Sequence, residues 1–375
     1  MTRIESFIKF ELILAIAIVF FTLIGVASLV SLCFYASFLI MILLAVIMSN
    51  YRSQCKTLAI VTICFAFISV IISALFYKGF LTLNNLVFFL VFATLLIYMY
   101  ILQIVEINRS LFVWIMNWGM VFSACFPIAY YVLGIRTQKG DFISMNFSNS
   151  NLLGMWILQA VAFAFINSFW QKGFLKKGIS IVLIILNIRL LLLSGTRNAL
   201  LALVLGGLIV LLYSYKNKKY SKALLVGVSV FPILFMVFYL YTFPFLSKNK
   251  FVLNFITEGK GIDSRYDVWA ATLYNLKGRF FTGSYFSLAG NVHNSHLVVL
   301  ASYGIIVLIL TVIFLYKTMS VVNNQCETTF QKLCLVAFFI TVFMGIGEGS
   351  LFSGAVGLYI PACIYLLLCR YNPEN

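Results

Sequence analysis

Few side chains in this sequence can do chemistry, because 63% of the residues are hydrophobic and only 10% are charged. Both histidines, His293 and His296, lie in VHNSHLVVLASYG, where a polar turn runs into an apolar segment. A neutral imidazole there can take a proton from a hydroxyl, since its ordinary pKa is about 6.5. His293, beside Asn294, stands at the mouth of the segment, whereas His296 falls about one turn deeper and reads as structural. Arg197 in SGTRNALLAL and Arg265 in DSRYDVWAATL each stand where a helix should begin. The helix dipole is positive at that end, so a cation gains nothing from it unless an anion lies alongside. A guanidinium next to open backbone N–H groups suits a phosphate. Arg189 lies deeper, in an apolar run where an arginine is costly and faces a protein interior or a watery cavity. Glu348 in GIGEGS is the acid best placed to pair with one of these bases, and it is the next candidate for a base after His293.

Each residue also has a plainer reading. A histidine can cap a helix, an arginine can snorkel to headgroups, Arg265 can pair with Asp263 or Asp267, and Glu348 can be a solvated loop acid. Asn146, Asn149 and Asn151 in FISMNFSNSNLLG, with Arg136 just before them, offer amides and a cation suited to sugar hydroxyls. Such Ser/Asn-rich turns are also common in helix caps. Thr196 or Asn198 is expected to cap the helix that follows. Val268, Trp269, Thr272, Leu273 and Leu276 form a helical stripe behind Arg265, as expected of a short helix lying at the membrane surface.

These side chains must be positioned by membrane helices. The mean hydropathy is +1.06, and a soluble domain cannot hide that much apolar surface, whereas spanning helices can. The expected fold is an all-α polytopic membrane protein, one domain over 1–375, with an active-site loop at 243–295 carrying short helices. About twelve apolar runs are long enough to span: 12–31, 33–49, 57–76, 84–105, 111–133, 152–170, 178–194, 198–214, 223–242, 296–316, 333–349 and 351–369. The first reads as a retained span rather than a cleaved leader. Lysines cluster at 171–177 and 215–222, which puts those loops and both termini in the cytoplasm. The net charge of +16 then reports topology and an anionic ligand rather than nucleic acid. The eight cysteines show no CxxC pairing, which argues against a disulfide framework or a zinc site. No internal repeat is visible, and Gly and Pro do not interrupt matching spans in two halves, which weighs against a secondary transporter.

Four stretches stand in order: GDFISMNFSNSNLLG, LLLSGTRNALLAL, DSRYDVWAATLYNLKGRFFTGSYF and HNSHLVVLASYGIIVL. Together with the long loop before the tenth apolar run, they resemble the O-antigen polymerase and O-antigen ligase superfamily of bacterial envelope glycosyltransferases. The resemblance implies a membrane glycosyltransferase fold, type C-like, in the bacterial inner membrane with its site on the periplasmic side. It implies transfer of a glycan from undecaprenyl pyrophosphate to a sugar hydroxyl, without metal or other cofactor. On the matched positions Arg197 and Arg265 would hold the pyrophosphate and His293 would be the base; Arg189, read from its place in an apolar run, is a further candidate for the pyrophosphate. Asn294, Asn149, Asn151 and Arg136, from their residue types, are candidates for the glycan or for holding the loop. The implied partners are the undecaprenyl-pyrophosphate-linked oligosaccharide and the lipid bilayer, and the resemblance allows a chain-length regulator. Ligases tend to have a small residue or Tyr three positions after the glycine that follows the His-Asn pair. Here Gly304 is followed by Ile305, Ile306 and Val307, and the loop is compact at about fifty residues. Both features favour polymerase over ligase, whose acceptor is lipid A–core. A lipid-linked oligosaccharide flippase or other transporter is the alternative outside the class; it should show mid-membrane charges and broken helices.

Overall fold

Inside lipid no water satisfies backbone N–H and C=O groups, so an apolar chain must close its hydrogen bonds within helices. The computed structural model describes residues 2–47, 55–76, 83–139, 141–214, 219–250, 264–283, 292–347, 352 and 359–373. The helices are α1 (Thr2–Leu23), α2 (Ala27–Ile47), α3 (Lys56–Phe76), α4 (Leu83–Ile101), α5 (Arg109–Pro127), α6 (Ser150–Trp170) and α7 (Phe174–Leu193). They continue with α8 (Arg197–Ile209), α9 (Lys222–Leu246), α10 (Ser264–Asn275), α11 (Ser295–Tyr303), α12 (Ile305–Gln325), α13 (Thr329–Met344) and α14 (Tyr359–Leu368). Both α5 and α8 run on into a π-helical turn, at Ile128–Val132 and Val210–Ser214. A two-residue antiparallel pair, Gln138–Lys139 against Phe142–Ile143, closes the loop before α6.

Among the described residues seven helices are long and apolar enough to cross a membrane: α1, α2, α3, α5 with its extension, α6, α9 and α12. Shorter apolar helices lie at Phe88–Ile101, Arg197–Tyr213 and Thr329–Met344. The protein is therefore an all-α multi-pass membrane protein. Of the other expected runs, 178–194 becomes α7, which carries Lys176, Lys177 and Arg189. The run 351–369 falls partly outside the described residues, as do Glu348, Asp263 and Gly290.

Two expected spans have different limits. The first break comes at 24–26, not at residue 32, so the first helix takes in Glu5, Lys9 and Glu11. The tenth run is interrupted. Gly304, at φ 85° and ψ 179°, separates α11 from α12. The turn after α10 wedges into this gap: the Ile305 N–H donates to Phe280 O at 2.9 Å. A β-carbon at 304 would collide with the Phe281 carbonyl. Glycine thus meets both needs at this position, positive φ and close backbone approach.

The core is built on α13, which is buried at every residue from Phe330 to Met344. Helices α6, α8, α9 and α14 pack around it. Its polar contact with α6 is satisfied internally: Gln159 Nε2 donates to Thr341 Oγ1 at 3.1 Å, and Tyr365 Oη of α14 donates to Gln159 O at 2.9 Å. The bundle has a lysine-rich face, with Lys172, Lys176, Lys177, Lys219 and Lys222, and an opposite loop face, where α6 and α8 begin.

Candidate active site

The site is organised by the turn into α11. Asn294 has extended backbone (φ −153°, ψ 123°) and caps the helix, its Oδ1 accepting from His296 N at 3.1 Å and Leu297 N at 2.9 Å. Its Nδ2 donates to Pro232 O of α9 at 3.1 Å and to Ile346 O beyond α13 at 2.9 Å. Ser295 N–H donates to Gly345 O at 2.9 Å. Asn294 is fully buried. Its amide is used entirely inside the protein, so its part is to lock three segments together rather than to meet a glycan.

The locked turn, 345–347, also touches the start of α8. A β-carbon on Gly347 would run into the side-chain amide of Asn198, so glycine here leaves room for that amide. Arg197, the first residue of α8, is half-buried beside it. The expected cap from Thr196 does not form. The Thr196 hydroxyl donates to Ser150 O at 3.0 Å and sits 3.0 Å from Ser194 Oγ, and it does not cap α8. The two helix starts therefore differ in kind. At α11 the first N–H groups are taken up by Asn294 and Gly345, whereas α8 begins with an arginine and its N-cap residue, Thr196, offers it no side-chain acceptor. A helix start of the second kind can take an anion.

The third element is α10. Trp269, Thr272 and Leu276 of the expected stripe are buried. They face α9 and α11 rather than lipid: Tyr266 stacks on Phe243 at 4.7 Å, and Trp269 meets the edge of Tyr239 at 5.6 Å. Trp269 Nε1 donates to Val292 O at 2.7 Å, which fixes the residue just before His293. Arg265 lies one turn ahead of Trp269 on the same helical face, half-buried.

His293 is held from both sides, Val292 by Trp269 and Asn294 by its four bonds. It is half-buried, and its φ of 48° puts a non-glycine residue in the left-handed region. That conformation costs about 1–2 kcal/mol and persists only where the surroundings impose it, a pattern that clusters at functional sites. The turn is also deep. Pro232 lies fourteen residues before the end of α9, or about 21 Å along its axis. His293 is thus recessed within the bundle rather than at the mouth of a span.

His296 has the structural place expected of it. It is buried, and its Nε2 lies 2.9 Å from Ser229 O of α9. A carbonyl partner makes Nε2 the protonated nitrogen. The Nδ1 atom is buried without a partner.

The remaining candidates sit elsewhere on the loop face. Asn149 caps α6 by accepting from Leu152 N at 2.7 Å, and Asn151 is half-buried in the first turn. Asn146 ties the loop to α1 through Leu23 O at 2.7 Å. Arg136 and Arg189 are both exposed and share an aromatic pair, Arg136 lying 5.1 Å from the Tyr130 ring and Arg189 5.7 Å from Tyr131. A cavity of 280 Å³ between the α1–α2 turn and this loop is lined by Asn146, Ser148 and Trp156, but not by Asn149, Asn151, Arg136 or Arg189. Among the described residues no three His, Cys, Asp or Glu side chains come together to hold a metal ion.

Trp269 and Pro232 carry more of the site than their residue types suggested. The signal for the first was its i+4 spacing from Arg265; the second gave none, since a proline frees the carbonyl four residues before it, here Val228, and not its own. Comparison of the chain with protein-family models, with curated proteins and with solved structures finds no match.

Proposed function

We propose that this protein is an inner-membrane glycosyltransferase of the O-antigen polymerase type, acting on undecaprenyl-pyrophosphate-linked repeat units at the periplasmic face. The observation that carries the reading is that the residues entering α11 are tied on one side to the 345–347 turn beside α8 and on the other to Trp269 of α10, which links the segments carrying Arg197, Arg265 and His293. Lys172, Lys176, Lys177, Lys219 and Lys222 lie at the opposite end of the bundle, which by the positive-inside rule supports an outer site.

In this reading the donor pyrophosphate lies between the start of α8 and the two guanidinium groups. His293 accepts the proton of the acceptor hydroxyl. The hydroxyl oxygen attacks the anomeric carbon from the side opposite the pyrophosphate, the glycosyl–phosphate bond breaks, and undecaprenyl pyrophosphate leaves with the bonding electrons. One displacement inverts the anomeric configuration. Charge grows on the leaving group in the transition state, where fixed guanidinium groups in a recessed site stabilise it most.

The break at Gly304 favours a second reading, a lipid-linked oligosaccharide transporter, since discontinuous helices mark such proteins. Transporters use the open N-terminus of a half-helix to hold an anion, and the start of α11 is filled by Asn294 and Gly345. That weighs for the enzyme. The envelope glycans of a deletion strain decide the class: loss of a polymerase leaves single repeat units on lipid A–core, loss of a ligase leaves bare core with long chains on the carrier, and loss of a flippase leaves bare core with no polymer.

A further inference from the structure

A second polar cavity lies at the other end of the bundle. It measures 520 Å³ and is enclosed by the start of α5, the end of α6, the connector into α7 and the chain after α14. It lies at the opposite end of α6 from the Ser150–Thr196 contact at the start of α8, and the twenty-one residues of that helix span about 30 Å. Its aromatic wall is well built. Phe112 and Tyr371 stack at 4.0 Å with an 18° tilt, and Trp170 meets the edge of Phe112 at 5.1 Å.

The charged lining is of one sign. Arg109, Lys172 and Lys176 border the cavity, and no carboxylate does among its lining residues. The first turn of α5 does not need an anion to cap it, because Asn108 Oδ1 accepts from Leu111 N at 2.8 Å. Three cations around one cavity repel each other, and an anion between them relieves that cost. Between Lys172 and Lys176 in the chain stand Phe174 and Leu175, which are 95% and 75% exposed. Large apolar side chains this exposed on a membrane protein meet lipid tails, and cations beside them meet headgroups. A ligand that satisfies both is amphiphilic, with an anionic head and an apolar tail. A free phosphate or nucleotide would use the cations and leave Phe174 and Leu175 unused.

We propose that this cavity binds the headgroup of an anionic phospholipid from the leaflet at the lysine-rich face, with the phosphate among Arg109, Lys172 and Lys176 and the glycerol against the Phe112–Tyr371 stack. The inference is independent of the reaction assigned to the other face.

Native mass spectrometry of the full chain, titrated with phosphatidylglycerol or phosphatidylcholine, tests it. The expected result is one tightly held phosphatidylglycerol, with phosphatidylcholine binding far more weakly. An interaction worth about 1 kcal/mol per basic residue near an anionic surface corresponds to about fivefold in affinity. Each single variant, Arg109→Gln, Lys172→Gln or Lys176→Gln, should therefore bind phosphatidylglycerol about fivefold more weakly, and the triple variant about a hundredfold. Lys248→Gln with Lys277→Gln, on the loop face, should leave binding unchanged. Should the triple variant fail to fold, the single variants give the answer. Equal affinity for the two lipids, or undiminished phosphatidylglycerol binding in all the single variants, overturns the proposal. Displacement of the lipid by low concentrations of inorganic phosphate also overturns it, in favour of a soluble anion.

Discussion

Replacement of Asn294 separates a local cap from a clamp on the whole site. As a cap alone, Asn294 could become Asp without loss, since both residues serve well at N-cap and Asp adds a favourable charge to the dipole. The structure gives Asn294 two further bonds, from Nδ2 to the carbonyls of Pro232 and Ile346. Asn294→Asp keeps the acceptor for His296 N and Leu297 N but aims a buried carboxylate oxygen at two carbonyl oxygens. Asn294→Ala removes all four bonds. A lost cap costs about 1 kcal/mol, and hydrogen bonds within membrane proteins average about 0.6 kcal/mol with a maximum near 1.7. Together these give a loss of about 2–4 kcal/mol for Asn294→Ala. Asn294→Asp should be at least as harmful, because an uncompensated buried charge is added. The assay is denaturant unfolding of purified protein in detergent or nanodiscs, followed by circular dichroism, with glycan transfer measured on the same samples. An Asp variant as stable as wild type would refute the clamp.

Arg197→Ala and Arg265→Ala should each lower transfer by at least about tenfold, from the roughly 1.5–3 kcal/mol of a charged hydrogen bond, with lysine restoring little because it lacks the planar fork; near-normal rates in both would remove the pyrophosphate role. His293→Ala should lower the rate by about 10²–10⁴-fold. His293→Gly should be equally inactive yet more stable than the alanine variant by about 1 kcal/mol, because glycine accepts φ 48° without strain; comparison of the two unfolding curves checks this. Trp269→Phe keeps the packing of α10 on α9 but loses the bond to Val292 O, so it should reduce kcat several-fold with little change in unfolding midpoint, whereas an unchanged kcat would show that His293 needs no support from α10.

The membrane class was legible because composition alone rules out a soluble core, and the segments around Arg197, Arg265 and His293 were legible because cations and imidazoles are rare in this chain. The breaks at Gly25 and Gly304 were harder to place. A helix facing lipid on one side and protein on the other is apolar all round, so hydrophobic periodicity vanishes and a break leaves no mark in an unbroken apolar run. Asn294 read as a residue for substrate because an amide beside a histidine has the same composition whether it faces a sugar or two backbone carbonyls; only the approach of α9 and of the 345–347 turn decides between them. Thr196 illustrates the same limit, since its competing acceptor, Ser150 O, is remote in sequence. The bond from Trp269 to Val292 crosses a stretch of chain of no fixed length preference, and no local rule foretells it.

The central claim is tested most directly by incubating the purified protein with undecaprenyl-pyrophosphate-linked repeat units, with no nucleotide sugar and no other enzyme, and separating the products by size. A polymerase converts the units into a ladder of longer lipid-linked chains and releases undecaprenyl pyrophosphate, and the Arg197→Ala and His293→Ala proteins, folded as judged by their unfolding curves, lose the ladder. Unchanged repeat units in the presence of folded wild-type protein, or a ladder undiminished in both variants, would contradict it.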